Sequence, residues 1–185
     1  MTDIQQALST ALPGDVVLQQ GNFSVEKTAA LFRYAREHQL QTVFNPSPVK
    51  PAFSELWPLI DLLVVNRGEA EYFTATSDIP AEAAHYFQAA GVASVVITLG
   101  ADGVYLASPQ QHIQVATPRC HVVDTTGAGD TFLAVMLASM LQRSASQPEK
   151  IDLQRAGQAA AITIGRSGTF SAFPSAAELE MLLKN

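Results

Sequence analysis

The sequence predicts an α/β domain, with a mainly parallel sheet and helices on both faces of that sheet. Short apolar runs rich in β-branched residues alternate along the chain with segments of helical periodicity. Several of these runs are nearly continuous, as expected for strands that are covered on both faces. Strand–helix–strand alternation of this kind is typical of parallel sheets, because parallel neighbours need a long crossover between them.

The first predicted unit is a strand, a helix and a second strand. The apolar run at residues 15–20 predicts a strand that is entered from a Pro-Gly turn. In residues 24–38 the apolar side chains recur three or four positions apart, which is the spacing of one helix face. Residues 41–44 predict the next strand, and Asn-Pro-Ser-Pro at residues 45–48 ends it.

The middle of the chain repeats the alternation. Residues 59–65 are nearly all apolar and predict a buried strand. Residues 80–90 predict a helix, with Pro in its first turn and Gly after its end. Residues 93–99 predict a strand that leads into a turn at residues 100–103.

A hairpin or edge pair and three helices complete the predicted domain. The pair comprises residues 104–107 and 112–115. The last helix follows a Ser that has Glu three positions later, which is the spacing of a capping box. The polar stretch at residues 142–150 is too short to separate domains, so we expect one domain over residues 1–185. The three predicted helices are residues 127–142, 151–164 and 175–184.

Composition excludes several classes of function. The net charge is -6 and basic residues are not clustered, which argues against a nucleic-acid surface. Cys120 is the only cysteine, so neither an internal disulfide nor a cysteine-based metal site is expected. No apolar stretch reaches the length of about 18 residues that a membrane span needs. The first residues do not form the pattern of a signal peptide. We therefore expect a cytoplasmic protein without a membrane partner.

The strongest chemical signal lies at residues 124–130, Asp-Thr-Thr-Gly-Ala-Gly-Asp, immediately before a helical pattern. Gly127 and Gly129 allow a tight turn, and the start of a helix offers free N–H groups to an anion. Asp130 would repel a resting phosphate, but it suits a hydroxyl group that must lose a proton beside that phosphate. The alternative is an ordinary helix-entry loop in which Asp130 stabilises the helix dipole.

The string at residues 124–130 matches the Asp-Thr-x-Gly-Ala-Gly-Asp signature of ribokinase-like (PfkB) sugar kinases in every specified position. The chain therefore resembles that family. Four other segments follow the order of the family's motifs: residues 45–48 (Asn-Pro-x-Pro), Asn66 with Glu69 (Asn-x-x-Glu), residues 98–103 (Thr-Leu-Gly-x-x-Gly), and the helix and loop around residues 159–161 and 166–168.

The resemblance implies a ribokinase-like three-layer α/β/α fold and ATP-dependent phosphorylation of a sugar hydroxyl. It implies that Asp130 is the general base and that backbone N–H groups of residues 127–130, Ala128 included, stabilise the transferring phosphoryl group. Thr98, Gly100 and Gly103 are expected to line the nucleotide site. For Thr98 and Gly100 the alternative is an ordinary strand-to-hairpin connection.

The resemblance also implies two metal ions. Asn66 and Glu69 are expected to organise Mg²⁺ and the phosphates, with Glu69 acting through water. Alternatively, Asn66 ends a strand with a side-chain turn and Glu69 is a solvated acid at a helix start. A monovalent cation such as K⁺ is expected near Asp124, Thr126 and Gly168, and the alternative there is that Asp124 only caps the turn.

The chain corresponds to the later part of the family's pattern. The family's first strands, its β-lid and most of its sugar-contacting residues have no counterpart in this sequence, so we expect a truncated domain that could be inactive alone. An uncovered sheet edge would favour a homo-oligomer. Two alternatives to an active sugar kinase stay open: a catalytically silent nucleotide-binding or interaction module, and a lidless kinase of the same fold acting on a vitamin precursor.

Overall fold

Six strands and seven α-helices are laid out along residues 2–76 and 79–184, the part of the chain that the computed structural model describes. The strands are β1 (Val16–Gln20), β2 (Gln41–Asn45), β3 (Leu62–Asn66), β4 (Ser94–Thr98), β5 (Val104–Ala107) and β6 (His112–Val115). The helices are α1 (Thr2–Ala7), α2 (Val25–Glu37), α3 (Arg67–Thr74), α4 (Pro80–Ala89), α5 (Ala128–Gln142), α6 (Lys150–Ile164) and α7 (Ala176–Lys184).

The strands lie side by side in chain order in one sheet, from β1 to β6, and β1 to β4 are mutually parallel. The predicted α/β class with a mainly parallel sheet is therefore confirmed. Among the described residues β1 has a strand neighbour on one side only, and Leu18 on this strand is 42% exposed. The homo-oligomer that would cover this edge stays a prediction.

The chain divides into two compact units, Met1–Thr98 with Tyr105–His112, and Leu99–Val104 with Ile113–Asn185. The first unit contains the parallel strands and α1 to α4. The second contains α5, α6 and α7. In the described residues, none of the helices is both long and apolar enough to cross a membrane.

Aromatic side chains form much of the first unit's core. Phe44 contacts Phe53 with ring centroids 5.1 Å apart, and Trp57 contacts Phe87 at 5.2 Å, both edge to face. Such pairs contribute about 0.5–1.5 kcal/mol beyond the area they bury. Phe53 and Trp57 lie in a 3₁₀ segment, Pro51–Leu59, which they anchor to the core.

The predicted strand at residues 59–65 begins three residues too early. The 3₁₀ segment extends to Leu59, and β3 starts at Leu62. Between them, the Asp61 carboxylate accepts hydrogen bonds from the N–H and hydroxyl of Thr42, at 2.8 and 2.9 Å. An apolar run alone does not show where a 3₁₀ segment ends and a strand begins.

Helices α5 and α6 of the second unit share a buried polar cluster around Asp152. The Asp152 side chain is fully buried. It accepts hydrogen bonds from Ser139 Oγ at 2.6 Å, from Arg143 Nη2 at 2.6 Å and from the Glu149 N–H at 2.7 Å. Arg155 donates to the same serine at 2.8 Å. Because a buried carboxylate is costly unless it is paired, this cluster links α5, α6 and the loop between them.

The predicted capping box before α7 is present. Ser175 N–H donates to Glu178 Oε2 at 2.8 Å, and Glu178 N–H donates back to Ser175 Oγ at 3.4 Å. Arg166 Nη2 also contacts Glu178 Oε1 at 2.6 Å. The guanidinium of Arg166, followed by the N–H and hydroxyl of Ser175, lowers the pKa of Glu178 to about 2.

This lowered pKa predicts an acid-dependent loss of stability. The ordinary pKa is 4.5, so the stabilisation is present above pH 4.5 and is lost as pH falls towards about 2. We expect Glu178→Gln to lower the melting temperature at neutral pH and to reduce its further fall in acid. Thermal unfolding followed from neutral pH down to pH 2 tests this. Parallel curves for the two proteins across that range would contradict it.

Candidate functional site

The glycine-rich turn at residues 124–130 leads directly into α5. The helix begins at Ala128, one residue later than predicted, because Gly127 is its N-cap with φ of 78°. Gly127 C=O accepts the first helical hydrogen bond, from Thr131 N–H at 2.9 Å. The first N–H groups of any helix have no partner within the helix, and they carry the positive end of its dipole. The turn thus has the local structure of an anion site.

Steric surroundings distinguish the two glycines of the turn. A Cβ on Gly127 would lie 2.7 Å from Cε1 of Phe173, so this position excludes a larger residue through both its φ angle and its packing. A Cβ on Gly129 would meet nothing within 4 Å. The backbone at Gly129 is therefore open to the approach of a ligand.

Asp130 lies in the first turn of α5, and its residue is exposed. It thus stands beside the N–H groups of the turn, as the proposed base must. Ala128 N–H donates to Thr125 C=O at 3.3 Å. Of the predicted anion donors, this N–H therefore already has a partner within the turn, and a bound anion would compete with it.

Asp124, Thr126 and Gly168, the predicted monovalent-cation residues, do come together. Thr126 N–H donates to Asp124 Oδ1 at 2.9 Å. This bond, the Thr126 hydroxyl and the Gly168 N–H lower the pKa of Asp124. In these contacts the Asp124 carboxylate accepts hydrogens from its own turn, so Asp124 caps the turn. We assign no step to K⁺, and a monovalent cation near these residues stays a prediction.

Asn66, Glu69 and Thr98 lie at the carboxyl ends of two neighbouring parallel strands in the first unit. Asn66 ends β3 and is paired in register with Thr98, which ends β4. Ligands of open α/β sheets commonly bind beyond the carboxyl ends of the strands. The Thr98 hydroxyl lies 3.5 Å from Val65 C=O. The position of these three residues is thus compatible with ligand binding.

Asn66 and Glu69 form a capping box at the start of α3. Asn66 Oδ1 accepts from Glu69 N–H at 2.9 Å, and Glu69 Oε2 accepts from Asn66 N–H at 2.9 Å. The alternative interpretation, in which Asn66 ends the strand with a side-chain turn and Glu69 is an acid at a helix start, therefore matches contacts that exist. Among the described residues no group of three or more His, Cys, Asp or Glu side chains could hold a metal ion. Magnesium at Glu69 stays a prediction.

Gly100 and Gly103 lie in a tight turn of the second unit. Leu99 N–H donates to Gly103 C=O at 2.8 Å, and Gly103 N–H donates to Gly100 C=O at 3.1 Å. Both glycines have positive φ, 62° at Gly100 and 97° at Gly103. A Cβ on Gly103 would lie 2.1 Å from the Val115 carbonyl oxygen, whereas one on Gly100 would meet nothing. The turn itself therefore requires glycine at residue 103.

The two glycines predict unequal costs of substitution. Gly103→Ala is expected to lower the free energy of unfolding by about 3 kcal/mol or more, because a backbone oxygen blocks the new Cβ. Gly100→Ala, the matched control, should cost about 1 kcal/mol from its left-handed φ alone. Urea unfolding of the two variants measures the difference. Equal losses would contradict the steric explanation.

The packing of Phe173 against Gly127 has no counterpart in the sequence pattern. No periodicity or motif signals such a contact. The sequence pattern places Arg166 only in a loop motif and Glu178 only in a capping box. The structure connects both of them to that same loop, since Arg166 Nη1 also donates to Phe173 C=O at 3.3 Å.

The chain matches a known protein family over most of its length. The model of the pfkB family carbohydrate kinases matches residues 3–176. The ribokinase of Staphylococcus aureus (strain COL) is 28% identical over 184 residues, which cover 97% of this chain and 60% of that protein. The ribokinase of Haemophilus influenzae is 31% identical over 185 residues, covering 97% of this chain and 59% of that protein. The chain thus spans about 60% of the length of these curated relatives.

Solved structures show the same likeness. The ribokinase of Thermotoga maritima has a TM-score of 0.79 and 29% identity, over 92% of this chain and 57% of that chain. The ribokinase of Arabidopsis thaliana, complexed with ribose and ATP, has a TM-score of 0.82 and 25% identity, over 92% of this chain and 56% of that chain. The fold described above therefore corresponds to the matching part of these ribokinases, a little over half of each solved chain.

Proposed function

Because the chain belongs to the pfkB family of carbohydrate kinases, we propose that it transfers the γ-phosphoryl group of ATP to a hydroxyl group of a small sugar. The observation that carries this proposal is the start of α5. There an open glycine backbone and the helix N-terminus suit phosphate, and an exposed carboxylate, Asp130, adjoins them. A site that only held phosphate would gain nothing from that carboxylate.

In the proposed reaction, Asp130 accepts the proton of the sugar hydroxyl as its oxygen attacks the γ-phosphorus. The bond between that phosphorus and the β–γ bridging oxygen breaks, and ADP leaves. The products are a phosphorylated sugar, ADP and a proton, which Asp130 passes to solvent. Backbone N–H groups of Gly127, Gly129 and Asp130 stabilise the charge on the transferring group, with Ala128 contributing if it releases Thr125.

We further propose that Thr98, Gly100 and Gly103 bind the nucleotide and that Asn66 and Glu69 orient the phosphates. The half-buried Glu69 suits magnesium, since this ion is commonly held by one or two carboxylates together with retained waters. When bound, Mg²⁺ supplies positive charge that neutralises the phosphate oxygens. In the capping box, Asn66 fixes the backbone that presents the Glu69 side chain.

The sugar is proposed to be a pentose or a related small sugar. The curated relatives are named ribokinases, and the solved Arabidopsis structure contains ribose and ATP. Ribose is therefore the first substrate to test.

The second candidate function is nucleotide binding without turnover. It is favoured by the local capping roles that Asn66, Glu69 and Asp124 already have. Such a module would bind ATP or ADP and form no phosphorylated sugar.

Two measurements on the same protein, product analysis and nucleotide binding, separate the two candidate functions. The protein is incubated with Mg²⁺, ATP and a panel that includes ribose, deoxyribose and fructose, and products are identified by mass spectrometry. Nucleotide binding is measured in parallel by calorimetry. We expect ADP and a phosphorylated sugar in equal amounts. Binding of ADP with no phosphorylated sugar from any member of the panel would favour the silent module.

A further inference from the structure

The loop between α6 and α7 contacts the phosphate turn along its length. Where the loop leaves α6, the C=O of the last helical residue, Ile164, accepts a hydrogen bond from Asp124 N–H at 3.2 Å. Further along, Gly168 lies close enough to Asp124 for its backbone N–H to help lower the pKa of that carboxylate. Near its end, the Phe173 ring occupies the space that a side chain on Gly127 would need. The loop therefore contacts both the entry to the turn and the N-cap of α5.

The carboxylate of Glu178 contacts residues at both ends of this loop. Arg166, at the start of the loop, approaches both oxygens of Glu178, at 2.6 and 3.3 Å. Ser175, at its end, donates to Glu178 Oε2 through its N–H and its hydroxyl, each at 2.8 Å. Two-point contacts between arginine and carboxylate are among the strongest and most directional hydrogen bonds in proteins. Glu178 thus fixes the loop at both ends.

We propose that Arg166, Glu178 and Phe173 are positioning residues for the phosphate turn. In this role the Arg166–Glu178 pair holds the loop, and the loop holds Phe173 against Gly127, so that the N–H groups at the start of α5 keep one orientation. The role presupposes the proposed function, since its consequence is faster phosphoryl transfer. None of the three side chains has to touch the sugar or the nucleotide.

Phosphoryl transfer makes such positioning important. Little covalent chemistry is left to the protein, so its contribution consists mostly of orientation and charge stabilisation. A displacement of about 1 Å in the groups that stabilise the transition state can cost on the order of 100-fold in rate. A loosened loop should displace the turn by less than this, which leads us to expect about a tenfold loss of kcat.

Glu178→Gln is the main test, with Glu180→Gln as its matched control. Both residues lie on α7, but the partner of Glu180 is the exposed Lys184 on the same helix. We expect Glu178→Gln to lower kcat about tenfold and to change KM for the sugar by less than about twofold. Glu180→Gln should keep the wild-type kcat. All proteins are assayed below the onset of their own thermal unfolding.

Phe173→Ala is a second variant that leaves the ion pair in place. It removes only the ring beside Gly127, so it should lower kcat to a similar extent while sparing the acid dependence of stability. If both Glu178→Gln and Phe173→Ala kept kcat within about twofold of Glu180→Gln, the positioning role would be wrong.

Amide NMR supplies a readout that does not require turnover. We expect the ¹⁵N–¹H resonances of Gly127 and Gly129 to move in Glu178→Gln and in Phe173→Ala, and to stay in place in Glu180→Gln. Unmoved resonances in the first two variants would overturn the positioning role. If they move but the wild-type protein phosphorylates no sugar, the proposed function fails while the structural connection stands.

Discussion

Replacing Asp130 by Asn is expected to lower kcat for sugar phosphorylation by about 10²–10⁴-fold. The amide keeps the size of the side chain but cannot accept the hydroxyl proton. ATP can bind without touching Asp130, the proposed base. Its affinity should therefore change by less than about threefold, equivalent to less than about 0.7 kcal/mol. Steady-state kinetics and calorimetry measure the two quantities separately.

The matched control for this variant is Glu26→Gln. Glu26 is also an exposed acid in the first turn of a helix, α2, but it lies outside the proposed site. This variant should retain the wild-type kcat. If Asp130→Asn kept more than about a tenth of the wild-type kcat, Asp130 would not be the general base.

Replacing Asp152 by Ala is expected to cause a large loss of stability, about 3–5 kcal/mol. The substitution removes the shared acceptor of Ser139, Arg143 and the Glu149 N–H. Arg143 is 26% exposed and retains a contact to Glu149 at 3.1 Å, so the lower end of the range is the better estimate. Urea unfolding followed by circular dichroism measures the change.

Glu149→Gln serves as the control for the Asp152 variant. The Glu149 side chain is 58% exposed, and exposed ion pairs contribute about 0–1 kcal/mol. The two variants remove carboxylates that contact the same arginine but differ in burial. Equal losses of unfolding free energy would show that burial of Asp152 does not determine its contribution.

Elements with strong periodicity were predictable from the sequence. The strands β5 and β6 have the predicted bounds, and α2, α4 and α6 agree with their predicted ranges to within about one residue. These segments bury one clear face or one continuous apolar run, so local sequence and tertiary packing favour the same structure.

Three helical segments of six or more residues were not predicted, and in each of them local sequence and tertiary packing do not jointly favour the observed structure. The six residues of α1 are too few to display a helical period. The segment Pro51–Leu59 contains two prolines and folds as 3₁₀ helix, which has no strong sequence signal. Helix α3 follows β3 without a loop, and its start depends on the capping box of Asn66 and Glu69, two residues interpreted first as a functional motif.

For the candidate site, the sequence predicted the residues better than their contacts. The string at residues 124–130 identified the turn, the helix start and Asp130. It did not indicate that Thr126 N–H donates a hydrogen bond to Asp124, that Gly168 lies beside this carboxylate, or that Phe173 packs on Gly127. Such contacts depend on how the loop between α6 and α7 folds back, which is a long-range property of the chain.

The central claim is that the turn at residues 124–130 binds the phosphates of a nucleotide. Amide NMR titration of the wild-type protein tests it most directly, with ADP and Mg²⁺ in one series and adenosine in the other. We predict that the amide resonances of Gly127, Gly129 and Asp130 move with ADP and remain in place with adenosine. Saturation with ADP while these three resonances stay unchanged would contradict the claim.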